Sequence, residues 1–352
     1  MRRVCKIINI SLILMLIGVF LCQEFAYSSD ISYLRIPSIF NFPDLNKGNI
    51  VSREKAGLSP AVLAFRIMNH LFDMRIKENI SIMITPRCQY DCAFCATAHL
   101  RKNKTMKDMP KETLFNIADQ VRGIEQIMFV GPGESMNYGK GKKSIGGVTR
   151  DFIDVVNYFA ERVGELWIDT NGYPIPEDEG AAMFFFQQFP KNVRWVLSVD
   201  GYHEREMMDR QKKSLKKVIS IMESLSEGPF KLKTAYNLAT TDKHSVVLDR
   251  FGLMRKHKSD PEHVAIFDVV SQGAAADNKI VGAQARSSTH LKYHATIVGA
   301  ADFYINLYGD VVASHHVAFL LHEEREGLSS LNILGNVHNS SLSSIFLEGY
   351  LS

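Results

Sequence analysis

Three cysteines, Cys88, Cys92 and Cys95, stand within the eight residues "CQYDCAFC", and no cysteine follows them in the chain. Three clustered thiols cannot all pair with one another as disulfides. Spacings of three residues and then two let one loop curl so that every thiolate points inward at one metal centre. Four thiolates would saturate a zinc ion or a cubane iron–sulfur cluster, whereas three leave one position open for a substrate or cofactor. The residues alone also admit a three-cysteine zinc site completed by a histidine such as His99, or a plain structural cluster.

The loop needs a scaffold, and the chain supplies a rhythm for one. Strand-like apolar runs occur at 80–85, 126–130, 165–169, 194–199, 231–237 and 264–270, separated by segments of helical period such as "KETLFNIADQV" and "SLKKVISIMESL". Six strand–helix repeats imply right-handed crossovers and a parallel sheet. They are too few for a closed eightfold barrel, so the expected fold is α/β, a partial (β/α)6 TIM-type barrel, with a doubly wound sheet as the alternative. Upstream, Ser59 is placed to cap a helix with Pro60 at its first position.

Polar oddities fall at the strand ends: the cysteine loop after the first strand, "GPGES" (131–135) after the second, "TNG" (170–172), "SVDG" (198–201), Asn237, and "SQG" (271–273). In parallel α/β architectures the carboxyl ends of the strands share one rim, where sites are built. All six groups are expected to face one mouth. The glycine- and lysine-rich "GKGKKSIGG" (139–147) reads as a solvated loop beside it.

With an aromatic, Phe94, before its last cysteine, the CxxxCxxC motif resembles the radical S-adenosylmethionine (SAM) superfamily. The resemblance implies that Cys88, Cys92 and Cys95 ligate three irons of a [4Fe–4S] cluster and that SAM chelates the fourth. Reductive cleavage of SAM then yields methionine and a 5′-deoxyadenosyl radical that abstracts a substrate hydrogen. Such a radical attacks almost any C–H bond, so the barrel must hold the substrate close and exclude water.

The same resemblance assigns cofactor-binding roles elsewhere. Gly131, Gly133 and Glu134 resemble the element that meets the methionine end of SAM, Ser198 and Asp200 that near its ribose, and Arg210 the arginine that pairs with its carboxylate. A reductant such as flavodoxin or ferredoxin is the implied partner. A turn followed by a solvated charge run is the other reading of the stretch around Arg210.

The segments "FYINLYGDVVAS" (303–314) and "LNILGNVHNSSLSSIF" (331–346) resemble the SPASM or twitch extension of peptide maturases, without its cysteines. A small C-terminal α+β extension is therefore expected, with no auxiliary cysteine-ligated cluster. His315 and His316 read as structural or surface residues. The extension leans the substrate toward a peptide or protein side chain; a small molecule and a radical SAM role in its biosynthesis is the alternative, and a non-catalytic zinc or iron–sulfur module is the rival from another class.

The expected organisation is 1–28 as signal peptide or membrane anchor, 29–77 as an extension with one helix, 78–275 as the radical SAM core and 276–352 as the degenerate SPASM-like region. "MRRVCK" followed by an apolar run points outward by the positive-inside rule, which leaves export or N-terminal membrane association open. Clustered thiols, SAM and low-potential electrons favour cytoplasmic chemistry. A net charge of +3 over 352 residues is nearly balanced and gives no sign of a phosphate-tracking surface, so no nucleic acid is expected as partner.

Overall fold

The computed structural model describes residues 59, 62, 79–95, 97–102, 106–139, 147–240, 252–257, 264–268, 303–312 and 333–351. All of them lie in one compact unit, Asn49–Ser352. The segments 1–28 and 29–58, the loop 140–146, "SQG" at 271–273, and His315 and His316 lie outside the described residues. Among the described residues no helix is long and apolar enough to cross a membrane.

Six parallel strands carry the core: β1 (Asn79–Met83), β2 (Gln126–Val130), β3 (Glu165–Thr170), β4 (Val193–Val199), β5 (Lys233–Thr240) and β6 (Val264–Asp268). They lie side by side in chain order, each hydrogen-bonded to the next. A doubly wound sheet would reverse its order at a switch point. These six strands have no reversal among themselves, so they are of the partial barrel type, not closed.

The connecting helices are α1 (Ala98–Lys102), α2 (Lys111–Gln120), α3 (Arg150–Ala160), α4 (Glu179–Phe186), α5 (Gly201–Gln211), α6 (Leu215–Glu227) and α7 (Leu253–Lys256). Their starts follow capping chemistry: Thr149 Oγ1 accepts from Phe152 N at 3.1 Å, Asp178 Oδ1 from Ala181 N at 2.8 Å, and Ser214 Oγ from Lys217 N at 3.4 Å. Ser59 does the same upstream, accepting from Val62 N at 3.2 Å. Helices α3 and α6 bury Phe152, Val155, Val156 and Phe159, and Leu215, Val218, Met222 and Leu225, at the three- and four-residue spacing of one helical face. These pack on Ile80, Ile82, Ile127, Phe129, Leu166, Ile168, Trp195 and Leu197, which share one face of the sheet.

The opposite face has residues of the other parity, and they form three layers along the strands. At the amino ends, Glu165 accepts from Arg194 Nε at 3.1 Å and Lys233 Nζ at 2.7 Å, an ionic plug. Arg194 also lies over the Trp167 ring, 4.9 Å from its centroid. Met128, Trp167, Val196 and Ala235 make an apolar middle layer. Asp169, Ser198 and Asn237 form a polar layer toward the carboxyl ends.

The C-terminal part is not a detached lobe. Strand β7 (Phe303–Ile305) pairs in parallel with β1, β8 (Asp310–Val312) turns back on it, and β9 (Ile333–Asn336) follows antiparallel. One nine-stranded sheet thus runs β6-β5-β4-β3-β2-β1-β7-β8-β9. Helix α8 (Leu342–Leu351) seats Leu342, Ile345 and Phe346 in the main core. The sequence boundary at 275/276 is therefore no break in the sheet, because β1 would otherwise present an unpaired edge that β7 covers.

Candidate radical SAM site

The cysteine loop leaves β1 through a rigid collar. Thr85 Oγ1 donates to Asp108 Oδ1 at 2.7 Å, Arg87 pairs with the same carboxylate, and Arg87 Nη2 donates to Gly139 O at 2.7 Å. "GPGES" packs directly on this collar: Gly133 N donates to Thr85 O at 3.0 Å and Glu134 N to Arg87 O at 2.8 Å. A Cβ on Gly133 would lie 2.4 Å from Arg87 O, so only glycine fits that crossing. Gly131 has no such crowding, its nearest neighbour standing at 3.7 Å.

Cys88, Cys92 and Cys95 stand on this loop as reduced thiols, Cys92 buried and the others half-buried. Cys95 N donates to Cys92 O at 3.0 Å, closing a turn between the last two ligands. Two of the sulfurs have a polar neighbour: Asn171 Nδ2 lies 3.7 Å from Cys88 Sγ, and Thr97 Oγ1 lies 3.3 Å from Cys95 Sγ.

Among the described residues no three His, Cys, Asp or Glu side chains converge tightly enough to hold a single metal ion. A cubane takes its three thiolates on three different irons, so the donor set fits that group: three reduced thiols on one loop, with polar side chains beside Cys88 and Cys95.

Helix α5 closes over the loop. Phe94 packs on Tyr202 at 5.1 Å between ring centroids and on His203 at 5.7 Å. Tyr90 OH donates to Gln211 Oε1 at 3.4 Å, and Glu206 Oε2 accepts from Asp91 N at 3.3 Å. The segment whose other reading is a turn with a charge run behind it is an eleven-residue helix. Three signals mark it in retrospect: Asp200 as cap, Glu204 in the first turn and Arg210 in the last, each matched to the helix dipole. His203 and Glu206 were not singled out by type or spacing, because a histidine and a glutamate in a charged run look solvated.

The assigned SAM contacts have the following places. Glu134 is buried; its Oε1 accepts from Thr170 Oγ1 at 2.8 Å and Met136 N at 3.2 Å, and its Oε2 from Asn171 N at 2.7 Å. Burial pushes its pKa up to about 7 against those three donors. It ties the end of β2 to the end of β3. Asp200 Oδ1 accepts from Tyr202 N and His203 N, both at 2.9 Å, and Oδ2 pairs with His203 Nδ1, so it caps α5.

Ser198 Oγ donates to Asp169 Oδ1 at 3.4 Å, facing the open side of the sheet. Arg210 is half-exposed and donates to Glu206 Oε2 at 2.6 Å, one step from the cysteine loop through Glu206. Asn171 holds the rim together, its Oδ1 accepting from Gln89 Nε2 at 3.0 Å and Tyr173 N at 2.9 Å. Asn237, expected at a strand end, lies inside β5, which runs on to Thr240. Its Nδ2 donates to Asp169 Oδ1 at 3.3 Å, while its buried Oδ1 has no partner. Burial raises the Asp169 carboxyl to about 6, opposed by His203, Ser198 and Asn237.

No curated protein sequence matches the chain. Solved structures similar to it include anSMEcpe with AdoMet and a Cp18Cys peptide (12% identity, 78% of this chain and 82% of that one, TM-score 0.43). BtrN with AdoMet and 2-DOIA (14%, 77% and 82%, 0.39) and Streptococcus suis SuiB bound to precursor peptide SuiA (12%, 96% and 77%, 0.47) are others. Residues 82–242, from within β1 through β5 and including the whole cysteine loop, match the family model of the radical SAM superfamily. Residues 82–242 thus form a domain of the radical SAM superfamily, a family of enzymes of SAM-dependent radical chemistry.

Proposed function

We propose that Cys88, Cys92 and Cys95 hold one [4Fe–4S] cluster and that the enzyme abstracts hydrogen from a peptide or protein side chain. The observation that carries the reading is the cysteine loop itself: three reduced thiols at the carboxyl end of β1, fixed between the "GPGES" turn and α5. A cluster held there would supply the electron for reductive cleavage of SAM. The protein's own part is positional. Phe94 and Tyr90 wall the loop with aromatic surface, Gly131 and Gly133 let backbone approach the methionine end of SAM, and Glu134 braces that approach from below. Arg210 stands where it can meet a carboxylate at the loop's outer side, and Asp200 sets the helix that carries it.

The open face gives the substrate its surroundings. The Glu165–Arg194–Lys233 plug and the apolar layer above it keep water from the amino end, and Asp169, Ser198 and Asn237 offer hydrogen bonds at the level of the rim. The peptide leaning rests on the SPASM-like ending, whose strand β7 pairs with β1, the strand that leads into the cysteine loop, and whose β8 pairs with β7.

The test is anaerobic reconstitution of the full chain with iron and sulfide, followed by dithionite and SAM and an assay for 5′-deoxyadenosine. A brown protein that forms it, with loss of both colour and product in Cys92→Ala, is expected. A colourless protein that retains zinc overturns the reading.

A further inference from the structure

The side-chain amide of Asn171 meets the first cysteine of the loop. The residue follows β3 at its carboxyl end and is 5% exposed, and its backbone N–H donates to Glu134 Oε2 at 2.7 Å. Its Nδ2 donates to Cys88 Sγ at 3.7 Å, within the longer reach of a sulfur acceptor. The end of the amide that faces the sulfur is fixed by its other contact. Oδ1 takes the backbone N–H of Tyr173 at 2.9 Å, and a backbone N–H can only donate. Gln89, the residue after Cys88, therefore presents Nε2 to that same Oδ1 at 3.0 Å and keeps Oε1 for Asn137 Nδ2 at 2.6 Å. Three amides thus donate in one direction: Asn137 to Gln89, Gln89 to Asn171, and Asn171 to the sulfur. Thr97 beside Cys95 differs, because its hydroxyl hydrogen goes to Pro132 O at 2.9 Å.

Hydrogen bonds to the sulfurs are one of the means by which a protein sets the potential of an iron–sulfur cluster, and outer-shell donors also orient the ligand. A thiolate accepts such a bond more strongly than a thiol, and each amide in the row polarises the next. An N–H directed at the sulfur withdraws electron density from it. That favours the reduced cluster, which carries one more negative charge. We propose that Asn171, oriented by Tyr173 N and Gln89, is a positioning residue that donates to Cys88 Sγ and raises the reduction potential of the cluster. This rests on the cluster reading above, and it gives Asn171 a part in the chemistry beyond holding the rim.

The experiment is EPR of the anaerobically reconstituted full chain, with two readouts. In a redox titration, Asn171→Leu removes donor and acceptor at similar bulk, whereas Asn171→Asp keeps the acceptor for Tyr173 N and Gln89 and puts an oxygen where the N–H stood. The midpoint potential is expected below wild type in both. A lowered midpoint in the Leu variant beside a wild-type midpoint in the Asp variant shows a merely structural role and overturns the proposal, as does an unchanged midpoint in the Leu variant. The second readout needs no variant that folds: the wild type is grown with asparagine carrying heavy nitrogen in its side-chain amide, and pulsed EPR of the reduced cluster is expected to show coupling to that nitrogen. Absence of the coupling overturns the proposal even where both variants fail to load iron. All these failures leave the cluster reading intact, and a wild-type chain that assembles no cluster overturns both.

Discussion

Substituting Gly133 by alanine should break the site from beneath. The added Cβ would stand 2.4 Å from Arg87 O, 2.6 Å from Arg87 N and 2.7 Å from the Pro86 carbonyl carbon, all backbone atoms that no rotamer change can move aside. Relief requires that contact to open from 2.4 Å to ordinary contact near 3.4 Å, a shift of about 1 Å between the "GPGES" turn and the collar. Two hydrogen bonds cross that gap, Gly133 N to Thr85 O at 3.0 Å and Glu134 N to Arg87 O at 2.8 Å. Losing them costs about 1 kcal/mol each, and the overpacking adds about 1–3 kcal/mol. The expected destabilisation is thus about 3–5 kcal/mol, a large share of the roughly 5–15 kcal/mol that holds a typical protein folded.

Gly131→Ala is the control, since its Cβ would meet Gly133 O at 3.7 Å and Gly133 N at 3.8 Å, ordinary contacts. It should change stability by less than about 0.5 kcal/mol. Urea unfolding of both variants measures this, and visible absorption after reconstitution reports whether the loop still takes up iron. Cys88 follows Arg87 directly, so Gly133→Ala should also lose absorption. Equal stability and equal iron uptake in the two variants would refute the close-approach reasoning.

Other outcomes follow from the same geometry. Glu134 has its pKa raised by burial to about 7, so it is more readily protonated folded than unfolded. Its contribution to stability is present below the ordinary carboxylate range and is lost as pH rises through 7, by up to about 3 kcal/mol; Glu134→Gln should flatten that part of a stability–pH curve from urea midpoints. Glu165→Ala strands Arg194, whose side chain is only 12% exposed, and should cost about 3 kcal/mol or more in urea unfolding, while replacing both by apolar residues of similar size recovers most of the loss. Glu206→Ala removes the acceptor for Asp91 N and should release iron to a chelator faster than wild type, with a stability loss of about 1–2 kcal/mol; an unchanged release rate counts against the helix as a clamp.

What the sequence by itself determined was local or periodic. The cysteine spacing, the six strands and the cap at Ser59 were legible because a strand, a helix start and a ligand loop are each written in neighbouring residues. The absence of any cysteine after Cys95 is likewise a matter of reading. Tertiary structure alone decided the rest. The pairing of Ile80 with Phe303, which joins the C-terminal hairpin to the cysteine-bearing strand, depends on two segments far apart in the chain, and no local pattern specifies that partner. Asn237 looked like a strand end because a polar residue closed an apolar run, yet pairing with Ser198 and the strand beyond it carries β5 three residues further. Helix α5 hid behind its charges: only Tyr202 and Met207 are buried on it, so apolar period could not reveal it, and what holds it in place is the loop it covers. Sequence could name the thiols, and only packing could show that Phe94 beside them is covered by Tyr202 and His203 of α5.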